Sequence, residues 1–232
     1  MVRYISYLIL ILVLFTFVAI FFKEKPKQEN RIGKNEISLP QPLYKSQTSL
    51  EEALLSRKSI REYKQEPISL EELSQLLWAA QGMTREWGGR TAPSAGGIYP
   101  IQVYVVVKNV DDVERGVYLY DAKNHSLILL SKGDFSKSLM SAVLNQRWIG
   151  DAALNFVITG NYNKTVSKYG ERGIMYVHLE AGHVSQNIYL QAAALNLGTV
   201  AVGAFDDEEV RKIIHVDKEE TPLYVMPVGR PA

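Results

Sequence analysis

The chain has 232 residues and contains no cysteine. This absence excludes disulfide bridges, a thiolate nucleophile, an iron–sulfur cluster and any zinc site built on cysteine ligands. An excess of charge of one sign is missing too, because 26 basic and 25 acidic side chains give a formal net charge of +1. Domains that bind nucleic acid usually carry a clearly basic face, so no nucleic-acid partner is predicted.

Several motifs of common enzyme classes are absent from the sequence. It has no GxxxxGK[ST] loop for nucleotide phosphates and no GxGxxG after a predicted strand. Ser94 lies outside a GxSxG pattern, which argues against an acyl-transfer nucleophile. His178 and His183 are separated by roughly 140° around a helix, so they do not share a metal-facing side. No metal site is predicted.

An apolar run near the start predicts a membrane segment. Residues 4–22 include only two residues that are not apolar, Ser6 and Thr16. A helix of this length spans roughly 28 Å, close to the hydrocarbon thickness of a bilayer. Arg3 precedes the run and five basic residues follow it up to position 34. We therefore expect residues 1–22 to form an uncleaved anchor with the rest of the chain in the cytoplasm, a cleaved signal peptide being the alternative.

The rest of the sequence divides into a linker and a folded domain. Residues 23–45 are polar and contain three prolines, which predicts a linker. Residues 46–232 are expected to form one domain. Capping boxes at Ser49 and Ser69 predict two helices, the second ending at Gly82. Further helices are predicted at 139–144, 172–197 and 207–214, and strands at 103–107, 117–120, 127–130, 154–159, 199–202 and 223–228. This order indicates an α+β fold, a sheet covered by helices.

Three segments carry groups suited to a flat, anionic ligand. Arg57, Lys58, Ser59 and Arg61 combine cations with a hydroxyl, a set that suits a phosphate monoester, although a solvated helix end is the simpler interpretation. Residues 93–100 contain two glycines that let backbone approach a ligand, or form an ordinary turn. Residues 198–203 place glycines at both ends of a predicted strand.

These segments, in this order, resemble the nitroreductase superfamily of FMN enzymes. The similarity is closest to its SagB-type branch, which includes oxidases that form thiazoles and oxazoles. It extends from about residue 49 to residue 230. The segments that carry it are 56–61, 93–100, 116–120, 168–172, 180–183, 186–187, 198–207 and 227–230.

The resemblance implies a central mixed or antiparallel sheet flanked by helices, assembled as a homodimer with FMN at the interface. NAD(P)H would be a transient electron donor. The first segment and Arg230 would bind the phosphate and ribityl chain, the second would reach the flavin from the partner subunit, and the third would face the isoalloxazine ring. The cofactor-binding residues so implied are Arg57, Lys58, Ser59, Arg61, Pro93, Ser94, Ala95, Gly96, Val202, Gly203, Ala204 and Arg230.

Lys168 and Tyr169 match a Lys-Tyr pair that is associated, in azoline-oxidising relatives, with removal of the substrate proton. The resemblance thus implies a catalytic role for both, whereas a solvated lysine beside a packed tyrosine is the alternative. The predicted function is an FMN-dependent, membrane-anchored oxidoreductase that transfers hydride between NAD(P)H or an organic small molecule and an acceptor. The alternative function is a non-catalytic membrane-anchored module that binds flavin or another flat ligand.

Overall fold

The computed structural model describes residues 35–232, and the structural statements below concern that part of the chain. The predicted membrane segment at residues 4–22 and the first half of the predicted linker lie outside the described residues. None of the helices within residues 35–232 is both long enough and apolar enough to cross a membrane.

One seven-stranded sheet forms the centre of the domain, and all neighbouring strands in it are antiparallel. The strand order is β1-β4-β3-β2-β5-β7-β6. The strands are β1 (Glu36–Ser38), β2 (Ile101–Val107), β3 (Gly116–Asp121), β4 (Ser126–Lys132), β5 (Leu154–Gly160), β6 (Gly198–Thr199) and β7 (Thr221–Gly229). The expected α+β fold is confirmed, with an antiparallel rather than a mixed sheet.

Seven α-helices accompany the sheet within residues 35–232. They are α1 (Leu50–Ser56), α2 (Leu70–Gln81), α3 (Ser136–Ala142), α4 (Arg147–Asp151), α5 (Tyr162–Tyr169), α6 (Arg172–Ala194) and α7 (Asp207–Ile214). Both predicted capping boxes form. At the start of α1 the Ser49 hydroxyl accepts the Glu52 N–H while the Glu52 carboxylate accepts the Ser49 N–H, and Ser69 and Glu72 do the same for α2.

Helices cover both faces of the sheet. Successive side chains of a strand point to opposite faces, and β2 shows the result. Val103 and Val105 belong to a core shared with α2 and α6, whereas Tyr104 and Val106 belong to a second core shared with α3, α4 and α7. Because β2 and β5 are buried on both sides, they appear in the sequence as nearly continuous apolar runs.

Strand β1 lies within the segment predicted as a linker, and that prediction did not anticipate it. Ile37 pairs with Leu127 of β4, and the N–H of the buried Leu39 donates to the His125 carbonyl. Three residues are too few to show a strand pattern, since the pairing is specified by β4, which lies about 90 residues further along the chain.

The start of α6 packs unusually closely against α5. A Cβ added at Gly173 would lie 2.7 Å from the backbone carbon of Thr165 and 2.7 Å from the nitrogen of Val166. Both atoms are backbone, so they cannot rotate away as a side chain can. Glycine at position 173 is therefore what allows the two helices to meet.

Gly173→Ala is expected to lower the free energy of unfolding by about 1–3 kcal/mol, because overpacking forces the α5 backbone to shift. Gly182→Ala is the matched control, since Gly182 lies in the same helix and an added Cβ there meets nothing within 4 Å. Better helix propensity should make this control neutral to about 1 kcal/mol more stable. Urea unfolding midpoints measure both, and equal midpoints would contradict the close packing.

Candidate functional site

A cavity of about 500 Å³ opens between the chain that leaves α1, the carboxyl end of α6 and strand β6. All four residues predicted in the first segment line it. The principal lining side chains are Arg57, Lys58, Ser59, Arg61, Tyr189 and Thr199. Two of them, Tyr189 and Thr199, were not predicted from the sequence.

The first segment is extended rather than helical. Helix α1 ends at Ser56, and Arg57 already has extended dihedral angles, with φ −56° and ψ 120°. The Ile60 N–H then donates to the Thr199 carbonyl at 2.9 Å, which fastens the segment alongside β6. Glycine at position 198 permits this, because a Cβ there would lie 2.6 Å from the Ile60 side chain.

Three cations line this cavity, and so does the acidic Glu62. Within residues 35–232, Arg57, Lys58 and Arg61 form no ion pair, although Arg57 is half-buried. Arg57 stacks on the ring of Tyr189, its Cζ 5.2 Å from the ring centroid, and Arg61 lies 5.6 Å from that of Trp148. Unpaired guanidinium groups held in place at a concave surface are suited to binding an anion.

Thr199 is a buried residue at the edge of the cavity. Its side chain is 2% exposed, and its Oγ1 has no hydrogen-bond partner among the described residues. An unsatisfied buried hydroxyl costs about 1–3 kcal/mol, so such groups normally have a partner. Thr199 also lines the cavity. The donors that face the cavity, three cations with the hydroxyls of Ser59 and Tyr189, fit the phosphate and polyol portion of FMN.

The structure places Arg230 elsewhere. Its guanidinium forms two hydrogen bonds of 2.8 Å to the Glu72 carboxylate, and Arg230 is not among the residues that line the cavity. Glu72 also completes the capping box of α2, so this ion pair ties the end of the chain to that helix. The role of Arg230 as a further phosphate cation stays a prediction.

The second predicted segment forms a tight loop before β2. A single 3₁₀ turn spans Ala95–Gly97, and both Gly96 and Gly97 have positive φ, 61° and 66°. The Ser94 hydroxyl accepts the Tyr99 N–H at 2.8 Å and closes the loop. None of residues 93–96 lines the cavity, so within one chain this loop and the cationic cavity are separate.

A buried polar network supports the loop from below. Glu180 on α6 is 2% exposed and accepts a hydrogen bond from the Gln81 amide at 3.5 Å. Burial raises the pKa of Glu180, while hydrogen bonds from Ser94 and Gln81 and the charge of Arg90 oppose that rise. The Arg90 guanidinium stacks 4.8 Å from the Tyr99 ring centroid. The loop therefore packs on a buried network of polar and charged side chains.

The predicted catalytic pair lies at the carboxyl end of α5, directly against the loop. A Cβ added at Gly96 would overlap the Tyr169 hydroxyl and lie 2.7 Å from the Lys168 Nζ. The Lys168 Nζ is 5.4 Å from the centroid of the Tyr169 ring, which packs edge-on against Tyr176. Helix α5 was not predicted, and the contact of the pair with Gly96 was therefore not predicted either.

The third predicted segment follows β6. The Val202 N–H and carbonyl both pair with Val225 at 2.9 Å, so the backbone of Val202 is occupied by the sheet. Gly203 and Ala204 are exposed, and the Ala204 carbonyl accepts a hydrogen bond from Gln146. A flat ligand could thus reach backbone at 203 and 204 but not the hydrogen-bonding groups of Val202.

No metal centre was predicted, and within residues 35–232 no three histidine or acidic side chains are grouped to hold a metal ion. His178 lies on α6, where its Nε2 is 2.6 Å from the Tyr162 hydroxyl.

Comparison with known proteins identifies the family. A family model described as the nitroreductase family matches residues 54–230, which is more than half of the chain. The chain belongs to the nitroreductase family. Nitroreductases generally bind FMN, use NAD(P)H and act on small molecules as homodimers, and the cationic cavity is consistent with this cofactor.

Individual relatives agree with the family assignment. A protein of Methanocaldococcus jannaschii named as a nitroreductase is 46% identical over 195 residues, covering 84% of this chain and 96% of its own length. An NADPH-dependent oxidoreductase of Staphylococcus saprophyticus is 28% identical over 77% of this chain and 63% of its own. A crystal structure named as a nitroreductase, from Ralstonia eutropha JMP134, has a TM-score of 0.76 and 33% identity, covering 86% and 90% of the two chains. This nitroreductase-family chain is thus an oxidoreductase.

Proposed function

We propose that the cavity binds FMN through its phosphate and ribityl chain, with Arg57, Lys58 and Arg61 as cations and Ser59 as hydroxyl donor. The observation that carries this is the group of three cations at one cavity, which form no ion pair among residues 35–232. A phosphate monoester would satisfy the guanidinium groups, and the exposed hydroxyl of Ser59 could donate to a phosphate or polyol oxygen. Bound FMN would supply a two-electron redox centre that takes hydride from one reactant and gives it to the next.

A homodimer completes the proposed site. None of residues 93–96 lines the cavity of its own chain, so we assign the loop to the flavin of the partner subunit. Large apolar side chains exposed on two helices support such an interface, because monomers seldom expose them in groups. These side chains are Leu54 and Leu55 on α1 and Ile174, Met175 and Leu179 on α6. The exposed backbone of Gly203 and Ala204 faces the isoalloxazine ring in this proposal.

Lys168 and Tyr169 handle the proton in the proposed reaction, as in the SagB-type branch. Both groups lie against Gly96, so a loop that reaches the flavin of the partner subunit would place them near that flavin as well. The Tyr169 hydroxyl gives or takes the substrate proton, and the Lys168 ammonium stabilises the phenolate that forms. Packing of the two side chains against Gly96, in a loop that lies over the buried Glu180 network, keeps both groups oriented for that transfer.

The reaction is then hydride transfer from NAD(P)H or an organic substrate to an acceptor such as a quinone or nitro compound. Full-length chain purified in mild detergent should absorb near 450 nm, or gain that absorbance with added FMN, and NADPH should bleach it. A colourless protein that does not bind FMN would reject the proposal. Bound flavin that neither NADPH nor an organic reductant can reduce would instead favour the non-catalytic binding module.

A further inference from the structure

Tyr189 on α6 touches both halves of the cavity. Its hydroxyl accepts the Ala201 N–H at 2.8 Å, and it lies 3.0 Å from the Ser59 Oγ. The Arg57 guanidinium lies over the face of its ring. One side chain thus joins the cationic segment, which follows α1, to the chain that leaves β6.

The direction of one of the two hydrogen bonds of Tyr189 is fixed, because the Ala201 N–H can only donate and the Tyr189 oxygen therefore accepts. In the bond between Tyr189 and Ser59 either hydroxyl can be the donor. The inference concerns the arrangement in which the Tyr189 proton points to Ser59 Oγ. A serine oxygen that already accepts a hydrogen bond directs its own proton outward, here into the cavity, and chains of such bonds reinforce one another.

We propose that Tyr189 is a positioning residue that sets Ser59 as a hydrogen-bond donor toward an anionic ligand and fixes Arg57 beside it. This inference rests on the proposed binding of FMN. It assigns to Tyr189 a function that neither its sequence context nor the motif around Ser59 indicates. A hydroxyl preset as donor matches a phosphate or polyol oxygen without reorganisation when the ligand binds.

Tyr189→Phe tests whether the Tyr189 hydroxyl acts through Ser59, because phenylalanine keeps the ring under Arg57 and removes only the hydroxyl. The dissociation constant for FMN, measured by quenching of flavin fluorescence, is expected to rise about tenfold. If Tyr189 acts through Ser59, the same substitution in a Ser59→Ala background should change the dissociation constant for FMN less than about twofold. The Ser59 hydroxyl that Tyr189 orients is already absent in that background.

Tyr118→Phe is the matched control, because it also removes one hydroxyl hydrogen bond, to the Glu114 carbonyl, and Tyr118 does not line the cavity. It should leave FMN affinity unchanged. An unaltered affinity in Tyr189→Phe, or effects of the two substitutions that multiply in the double variant, would overturn the inference while leaving FMN binding intact. Absence of FMN binding by the unmodified protein would instead reject the proposed function itself.

Discussion

Replacing Arg57 with alanine is expected to raise the dissociation constant for FMN about 10- to 150-fold, since a hydrogen bond to a charged group contributes about 1.5–3 kcal/mol. Arg57 is half-buried, stacked on Tyr189 and without an ion pair in the described part of the chain. The charge of Arg57 therefore contributes little to the stability of the ligand-free protein and contributes to binding when an anion is present. Thermal unfolding of the ligand-free protein should change little.

One further variant separates the charge of Arg57 from its geometry, and a second serves as a control at another position. Arg57→Lys keeps the charge but loses the planar fork that binds two phosphate oxygens, so its affinity should fall between those of the native protein and the alanine variant. Arg115→Ala removes an exposed arginine that does not line the cavity, and it should leave the affinity for FMN unchanged. Native affinity in Arg57→Ala would show that the phosphate binds elsewhere.

Gly96→Ala is expected to reduce turnover of NADPH with a quinone acceptor about 100-fold, because misplacing catalytic groups by about 1 Å can cost that much. The added methyl group would occupy the position of the Tyr169 hydroxyl and crowd the Lys168 ammonium. Both are tips of flexible side chains, so they can move aside. The protein should therefore fold, with the pair displaced from the loop.

Gly97→Ala is a closely matched control for this substitution. Gly97 has a similar positive φ, 66° against 61° for Gly96, but an added Cβ there meets nothing within 4 Å. Both variants thus carry the same cost, about 1 kcal/mol, of a left-handed non-glycine residue. Equal turnover in the two variants would exclude the contact with Lys168 and Tyr169 as a catalytic feature.

Local signals made much of the fold predictable. Helix α2 was recognised because Ser69 and Glu72 form its capping box, apolar residues follow at helical spacing, and Gly82 comes after its last residue. Strand β2 was evident from its β-branched run. Strand β1 and helix α5 are short, so their patterns are weak and their structure depends on partners elsewhere in the chain.

The candidate site was predictable only in part. The cationic segment was recognised from its composition, yet the extended backbone that brings Arg57 and Arg61 to one cavity depends on Ile60 packing over Gly198. The pairing of Arg230 with Glu72 was not predicted, because Glu72 lies 158 residues earlier in the chain. Such contacts are tertiary, and no spacing in the sequence encodes them.

Native mass spectrometry of the full-length chain, released from detergent after incubation with FMN, tests the central claim most directly. We expect a homodimer that carries two FMN molecules, and a dimer of the Arg57→Ala variant that loses them at lower collision energy. A monomer without FMN, or a dimer that retains no flavin under conditions that keep the subunits together, would contradict the claim that two chains build a shared flavin site.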